Sequence, residues 1–267
     1  MKQEWRETFK RLVIAMKENN QQNTDKLEKL NAKLKKNPDS FEITRELADM
    51  YLELERHEDA IGYIMKALEL NPNYAQGYNH LGICYLAQNR SDDAEKNLIE
   101  ALKLNFDLVE AHFNLGLLYQ RKGKYERALS HFKDAVIRNP EDYVTYHRMG
   151  ECAVSLSMEK EAEEFFKEAI RLKPDFLEAS TALSTLYIKQ GRLSNAENIL
   201  INILKYHPQV VSLHLSLGLI LEEQEKYLKA IEHLREAIIL DDNNVEALNS
   251  LGECCVAANM QKQAEPF

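Results

Sequence analysis

Alanine recurs at one fixed spacing along almost the whole chain. It stands at every thirty-fourth position from Ala60 to Ala264 without a miss. A second series runs beside it at the same spacing from Gly82 to Gly252, with Ser184 as its single non-glycine member. Self-similarity at a fixed period of this length is typical of a repeat array. The period therefore constrains the fold more strongly than any single segment of the sequence does.

Each repeat carries the pattern of two helices. In residues 109–142, Gly116 and Tyr119 lie on one face of a first helix, and Ala128 and Phe132 lie on one face of a second. Gly123 stands between them, where a left-handed residue would end the first helix. We interpret the small residues as the places where two antiparallel helices approach closely. Because one such hairpin cannot bury its apolar face alone, neighbouring repeats are expected to stack.

The segments NHLGICY, FNLGLLY, HRMGECA and NSLGECC, each followed by the regular alanine, resemble the first-helix signature of the tetratricopeptide repeat. The resemblance covers residues 41–267. It implies an all-α fold, a right-handed superhelical solenoid of stacked antiparallel helix hairpins. The sequence departs from the family pattern at Ala153, Leu221 and Cys255 in the tyrosine place, and at Phe106 in one proline place.

The period divides the chain into a short N-terminal segment and about seven repeats. The predicted repeats are 41–74, 75–108, 109–142, 143–176, 177–210, 211–244 and a partial 245–267. Residues 1–40 are predicted to form an amphipathic helix over 1–18, a loop over 19–24, and a degenerate repeat or capping helix that Asp25 begins. This segment is either a polar cap on the first repeat or a basic amphipathic helix that docks on a partner or an anionic membrane.

The last repeat reaches only three residues past Ala264, so its second helix would barely have begun. We expect the sequence to be a fragment of a longer protein, or else its last segment to pack irregularly. An uncapped repeat exposes its apolar face. Self-association through this C-terminal repeat is therefore a further hypothesis.

Composition excludes several classes of function. The net charge of −9 argues against nucleic acid as a partner, because phosphate binding needs clustered Lys and Arg. No catalytic, phosphate-binding or metal-binding motif is present, so we predict no enzyme activity, no cofactor and no metal site. Three of the four cysteines, Cys84, Cys152 and Cys254, share one place in the repeat and are predicted to be packing residues. No signal peptide or membrane span is recognisable, which favours a cytoplasmic location.

The first helix of each repeat has a face that points away from its partner helix, at places 2, 5, 9 and 12 of the repeat. The family resemblance implies that this face lines a concave peptide-binding groove. Places 6 and 13 border this face. The residues predicted for the groove and its border are Asn79, His80, Ile83, Phe113, Asn114, Leu117, Arg121, His147, Arg148, Glu151, Val154, Thr181, Lys189 and Leu215. The alternative is that some of these side chains pack on the adjacent first helix instead.

The sequence therefore predicts a non-catalytic scaffold that binds a protein or peptide segment in the groove. Membrane contact is not expected, with residues 1–18 as its only candidate. A second hypothesis is a regulatory or substrate-presenting arm of an enzyme whose catalytic domain lies beyond residue 267.

Overall fold

The structure is a computed structural model that describes residues 21–264, with side chains described as far as Asn259. Every regular element in this range is a helix, beginning with α1 over 21–36. The first helices of the repeats are α2 (Phe41–Glu53), α4 (Ala75–Ala87), α6 (Val109–Arg121), α8 (Tyr143–Ser155), α10 (Leu177–Lys189), α12 (Val211–Glu223) and α14 (Val245–Ala264). The second helices are α3 (His57–Leu70), α5 (Ser91–Leu104), α7 (Tyr125–Arg138), α9 (Glu159–Leu172), α11 (Leu193–Leu204) and α13 (Tyr227–Leu240).

The helices belong to two compact units, divided between Lys122 and Gly123. In the N-terminal unit, α2 packs on α3, α4 on α5, and α6 on both α4 and α5. In the C-terminal unit, each helix from α7 to α14 packs on the next one along the chain, and α8 also contacts α10. The predicted all-α array of stacked helix hairpins is confirmed.

The regular glycines are the points of closest approach within a hairpin. A Cβ atom added at Gly82, Gly150 or Gly218 would come within 2.7 Å of the side chain of Leu98, Phe166 or Leu234 on the second helix. The regular alanines from Ala60 to Ala230 are fully buried. The small residues are therefore required by the close packing of the two helices, as the sequence indicated.

The turn between the two helices of a hairpin repeats the same backbone geometry. Its residue at place 15 has positive φ in six repeats, at Glu55, Asn89, Gly123, Ser157, Gly191 and Glu225. In several of these turns the next residue donates its N–H five residues back, as Arg192 does to the Tyr187 carbonyl over 2.8 Å. This pattern is the Schellman motif, which favours glycine in the left-handed position. Only two of the six repeats place glycine there.

Two local predictions at the ends of the chain are wrong. The loop predicted over 19–24 is helical from residue 21, and Asp25 lies within α1, where Gln21 donates a hydrogen bond to it over 2.9 Å. A Gln–Asp pair four residues apart supports a helix, which explains the difference. The helix predicted over 1–18 lies outside the described residues.

At the other end, Ala264 does not open a second helix, because α14 continues without a break from Val245 to Ala264. Residues 257–264 contain no glycine or proline that would stop a helix.

The buried cysteines fit their predicted role as packing residues, since Cys84, Cys152 and Cys254 are free thiols with no exposed surface.

Candidate functional site

In the N-terminal unit, the polar residues predicted for the groove join adjacent first helices. Asn114 on α6 donates from Nδ2 to Asn79 Oδ1 on α4 over 2.9 Å, and only 1% of Asn79 is exposed. Arg121 donates from Nη1 to the Leu86 carbonyl over 3.2 Å. The Asn79 Nδ2 amide is buried without a hydrogen-bond partner among the described residues. Asn79 and Asn114 thus take up the alternative role, that of packing on the neighbouring first helix.

His80 makes a similar contact in the opposite direction along the unit. Its Nδ1 lies 3.4 Å from Asp49 Oδ1 on α2. Burial lowers the pKa of His80 and raises the pKa of Asp49, because it penalises the charged form of each group. Burial therefore weakens the ionic character of this contact. The apolar residues predicted here, Ile83, Phe113 and Leu117, are half-buried.

In the C-terminal unit, predicted groove residues surround an open cleft of about 470 Å³ between α8 and α10. We call this the α8–α10 cleft. Five of the predicted residues line it: His147, Glu151, Val154, Thr181 and Lys189. The other residues of its lining are Phe166, Glu178, Ala182, Thr185 and Leu186.

Short side chains on α10 create the space for this cleft. Thr181, Ala182 and Thr185 stand where the repeat over 109–142 carries Phe113, Asn114 and Leu117. The Thr181 hydroxyl donates to the Leu177 carbonyl over 2.9 Å, and the Thr185 hydroxyl donates to the Thr181 carbonyl over 2.9 Å. Because these donors are used within the helix, the two threonines offer a ligand mainly shape and methyl surface.

Two of the three side chains that α8 contributes to the cleft, His147 and Glu151, are polar. His147 is 7% exposed and lies with its ring centroid 5.7 Å from Phe166 and 5.3 Å from Phe176. Its Nε2 lies 3.5 Å from Glu151 Oε1, and Arg148 donates from Nη1 to Glu151 Oε2 over 2.9 Å. An acidic ligand group would therefore have to compete with Glu151 for Arg148.

Two exposed charges stand at opposite ends of the cleft. Glu178 and Lys189 lie eleven residues apart on α10, or roughly 16 Å at 1.5 Å per residue. Neither side chain forms an ion pair or a hydrogen bond with another described residue. Between them the cleft is mostly apolar, with Val154 39% exposed and Phe166 and Leu186 beneath.

Sequence reasoning missed the floor of the cleft. Phe166, Ala182 and Leu186 are not among the predicted groove residues. Phe166 lies on a second helix and Leu186 stands at place 10, which the groove prediction does not include. Ala182 stands at place 6, the same place as His80, Asn114 and Arg148, so its position did point to the groove. The signal that was available is the run of short residues on α10, which leaves the underlying Phe166 within reach of the cleft. Leu215, which was predicted, packs against the core instead of lining the cleft. Arg148 borders the cleft only through Glu151.

None of the helices among the described residues has the length and apolar content that crossing a membrane requires.

Four family models, all described as tetratricopeptide repeat, match the chain between residues 39 and 244. Their matches cover 39–105, 79–143 together with 118–175, 159–217, and 211–244.

Curated relatives match about half of the chain. The protein O-mannosyl-transferase Tmtc3 of Drosophila melanogaster is 32% identical over 127 residues, which are 45% of this chain and 13% of that protein. The human protein O-mannosyl-transferase TMTC3 is 31% identical over 113 residues, which are 42% of this chain and 12% of that protein. The matched segments thus span about an eighth of the length of these relatives.

Solved structures share the fold over more of the chain. YrrB, described as a TPR protein with an unusual peptide-binding site, superposes with a TM-score of 0.60 at 23% identity, covering 70% of this chain and 96% of YrrB. PilF of Pseudomonas aeruginosa gives 0.66 at 18% identity, covering 80% and 97%. The C-terminal part of a TPR repeat-containing protein from Cytophaga hutchinsonii gives 0.71 at 15% identity, covering 87% and 96%. With family models that match from residue 39 to residue 244, and a fold of stacked hairpins, the chain belongs to the tetratricopeptide repeat family.

Proposed function

We propose that the chain is a non-catalytic protein-interaction scaffold and that its α8–α10 cleft binds a peptide segment of a partner protein. The observation that carries the proposal is the cleft itself, an apolar floor flanked by polar side chains from two first helices. Concave apolar sites with a few placed polar groups are typical ligand sites. The similarity to YrrB, a protein described with a peptide-binding site, supports the same kind of ligand.

The charges around the cleft define the ligand further. An apolar anchor would occupy the space over Phe166 and beside Val154. A basic group near Glu178 and an acidic group near Lys189 would pair with the two exposed charges at its ends. An acidic group near Arg148 would instead have to displace Glu151, so that contact would contribute less binding free energy. In the N-terminal unit, Ile83, Phe113 and Leu117 are proposed as separate apolar anchors.

The experiment compares two exposed apolar residues on neighbouring first helices. Val154 lines the cleft and is 39% exposed, whereas Ile188 is 37% exposed and does not line it. A random twelve-residue peptide library is selected on the parent protein, and the enriched peptide is then titrated by calorimetry. We expect Val154→Asp to weaken binding at least tenfold, about 1.4 kcal/mol, because a carboxylate is placed on the apolar surface that the anchor contacts.

Ile188→Asp is the matched control and is expected to bind the enriched peptide like the parent. Circular dichroism should show equal helix content for both variants, since both residues are partly exposed. Loss of binding in Ile188→Asp together with parental binding in Val154→Asp would place the peptide elsewhere and refute the proposal for this cleft.

A second candidate function follows from the curated relatives. The matched segments belong to protein O-mannosyl-transferases, so the array could be the regulatory or substrate-presenting arm of a larger enzyme. In that case the cleft would hold a segment of the enzyme's substrate or of its catalytic domain. The reading frame that encodes the chain decides between the candidates, because an arm requires a catalytic domain in the same polypeptide.

A cytoplasmic location stays a prediction, and fractionation of cells with an antibody against the chain tests it.

A further inference from the structure

Two histidine rings from neighbouring helices meet in the repeat over 211–244. His214 on α12 and His233 on α13 lie with their Nδ1 atoms 3.2 Å apart and their ring planes inclined by 36°. His214 is 8% exposed, and His233 is half-buried. We call these two residues the α12–α13 histidine pair. Because the rings come from different helices, no spacing within one helix marks them as a metal-binding motif in the sequence.

A hydrogen bond on the other side of the His214 ring fixes its tautomer. Its Nε2 lies 3.2 Å from the Pro208 carbonyl, and a carbonyl oxygen only accepts hydrogen bonds. The neutral His214 ring therefore carries its proton on Nε2, and its Nδ1 presents a lone pair to His233. A metal-binding histidine typically donates its second N–H to a carbonyl or a carboxylate in the same way.

The separation of the two Nδ1 atoms fits the coordination of one ion. Zinc binds histidine nitrogen at about 2.0–2.1 Å in a tetrahedral arrangement, which places two such nitrogens about 3.3 Å apart. The Nδ1 atoms of the pair are 3.2 Å apart. Pro208 holds the His214 ring in position, whereas the half-buried His233 ring can turn its Nδ1 lone pair toward the ion and carry its proton on Nε2.

A carboxylate stands within reach of the pair. Glu236 follows His233 by three residues on α13, so the two side chains lie on the same side of the helix. Burial lowers the pKa of His233, the His214 ring lowers it further, and the carboxylates of Glu232 and Glu236 raise it. Both carboxylates are therefore near the ring. Glu236 is exposed and forms no hydrogen bond or ion pair with another described residue.

The same combination of residue types occurs a second time in the sequence. The repeat over 109–142 carries two histidines and an acidic residue at the places of His214, His233 and Glu236. They are His112, His131 and Asp134. No other repeat has a histidine at either of the two histidine places, so these histidines occur together or not at all. This joint occurrence indicates that the two rings serve as a pair.

We propose that the α12–α13 histidine pair and Glu236 bind a zinc ion, with a water molecule as the fourth ligand. Two neutral imidazoles and one carboxylate suit Zn²⁺, whereas Mg²⁺ and Ca²⁺ take mainly oxygen ligands. The ion ties α12 to α13 and stabilises this hairpin, because binding to the folded state adds to its stability. The site shares no residue with the α8–α10 cleft, so its test is independent of the peptide-binding proposal.

The test is a calorimetric titration of the metal-stripped 267-residue chain with ZnCl₂, which measures the number of ions bound and their affinity. We expect His233→Gln to bind one zinc ion fewer than the parent, since glutamine is polar but lacks the imidazole. Glu236→Gln should weaken zinc binding at this site about tenfold or more, because a neutral amide replaces a carboxylate ligand. Glu232→Gln, on the same helix, is the matched control and should bind like the parent. MgCl₂ should give no saturable heat.

Two further variants control for other side chains that bind metals. His207 lies in the loop before α12, where its Nε2 is 2.7 Å from the Asp175 carbonyl, and Cys255 is an exposed thiol. His207→Gln and Cys255→Ser should each bind as many zinc ions as the parent. Parental stoichiometry and affinity in His233→Gln would overturn the proposal, and so would the absence of zinc binding in the parent.

A measurement on the parent alone does not depend on the folding of any variant. Long-range ¹H–¹⁵N spectra of the histidine rings are recorded before and after the addition of zinc. We expect zinc to shift the Nδ1 signals of His214 and His233 and to leave those of His207 unchanged. Signals of the pair that do not move at saturating zinc would assign the bound ion to another site and refute the proposal.

Discussion

At the scale of single residues, the turn inside each hairpin shows how a repeated backbone tolerates different side chains. Place 15 has positive φ in six repeats, but four of them place a non-glycine residue there. The left-handed conformation costs most L-residues about 1–2 kcal/mol relative to glycine. Asn89 is among the residues that tolerate it, whereas Glu55, Ser157 and Glu225 are not favoured. The array therefore retains removable backbone strain at three positions.

Ser157→Gly should stabilise the protein by about 0.5–1 kcal/mol, because the gain in the left-handed turn exceeds the entropy that glycine adds to the unfolded chain. Ser157 is exposed, with φ at 59°, and its side chain makes no hydrogen bond among the described residues. Urea denaturation of parent and variant measures the difference. Gly191→Ala, at the same place in the next repeat, is the control and should lose stability. A Ser157→Gly variant that unfolds at a lower urea concentration than the parent would contradict this account.

At the scale of elements, glycine has different structural roles at equivalent positions of two helices, α8 and α14. Gly150 is buried on α8 directly against the Phe166 ring, whereas Gly252 on α14 is exposed with open space around it. Glycine costs a helix interior about 1 kcal/mol relative to alanine. The first glycine is required by packing and the second is only a weak point in its helix.

A pair of identical substitutions tests this difference. Gly150→Ala should destabilise the protein by about 1–3 kcal/mol, because the new methyl group overlaps a buried ring and forces the hairpin apart. Gly252→Ala should be neutral, or stabilising by up to about 1 kcal/mol, because it only improves helix propensity. Thermal melts followed by circular dichroism compare the two variants with the parent. If both variants lost the same amount of stability, the close approach of the two helices would not explain why glycine stands at position 150.

At the scale of the molecule, polar clamps join successive repeats within each compact unit. Glu163 on α9 accepts hydrogen bonds from Arg192 in the next repeat, from Lys167 over 2.7 Å and from the Tyr187 hydroxyl over 2.9 Å. Glu95 is bound in the same way in the N-terminal unit, by Lys122 over 2.7 Å and the Tyr119 hydroxyl over 2.8 Å. The recurrence indicates that stacking depends on charge pairing as well as on apolar contact.

The Glu163 clamp predicts an acid-sensitive part of the stability. Hydrogen bonding from Arg192, and then from Lys167 and Tyr187, lowers the pKa of Glu163 from 4.5 to about 2. Because the folded-state pKa is depressed, the contribution is fully present above the unfolded pKa of 4.5 and is lost as the pH falls towards 2. Its size at neutral pH is on the order of 2 kcal/mol, since the carboxylate is largely shielded from solvent.

Denaturation at a series of pH values checks this. Glu163→Gln should be less stable than the parent at pH 7, and the gap should close as the pH falls from 4.5 towards 2. Glu164→Gln, at the exposed neighbouring position, should follow the parent at every pH. A gap between Glu163→Gln and the parent that stays constant down to the lowest pH would mean that the carboxylate charge is not what joins the repeats.

The sequence alone determined the period, the hairpin in each repeat and the positions that have to be small, because these follow from spacings that recur every 34 residues. Tertiary structure decided which of the predicted groove residues pack within the protein and which line an open cleft. Asn79 and Asn114 are buried and bonded to each other, whereas Val154 opens onto a cleft. That cleft depends on the bulk of side chains from three successive helices, because Phe166 on α9 lines it only where α10 carries short residues. Gly252 shows the same dependence on tertiary contacts. It continues the glycine series of the sequence, but it is exposed because no second helix among the described residues packs against it. Local spacing encodes the helix faces, and contact between distant residues decides which of those faces remain open.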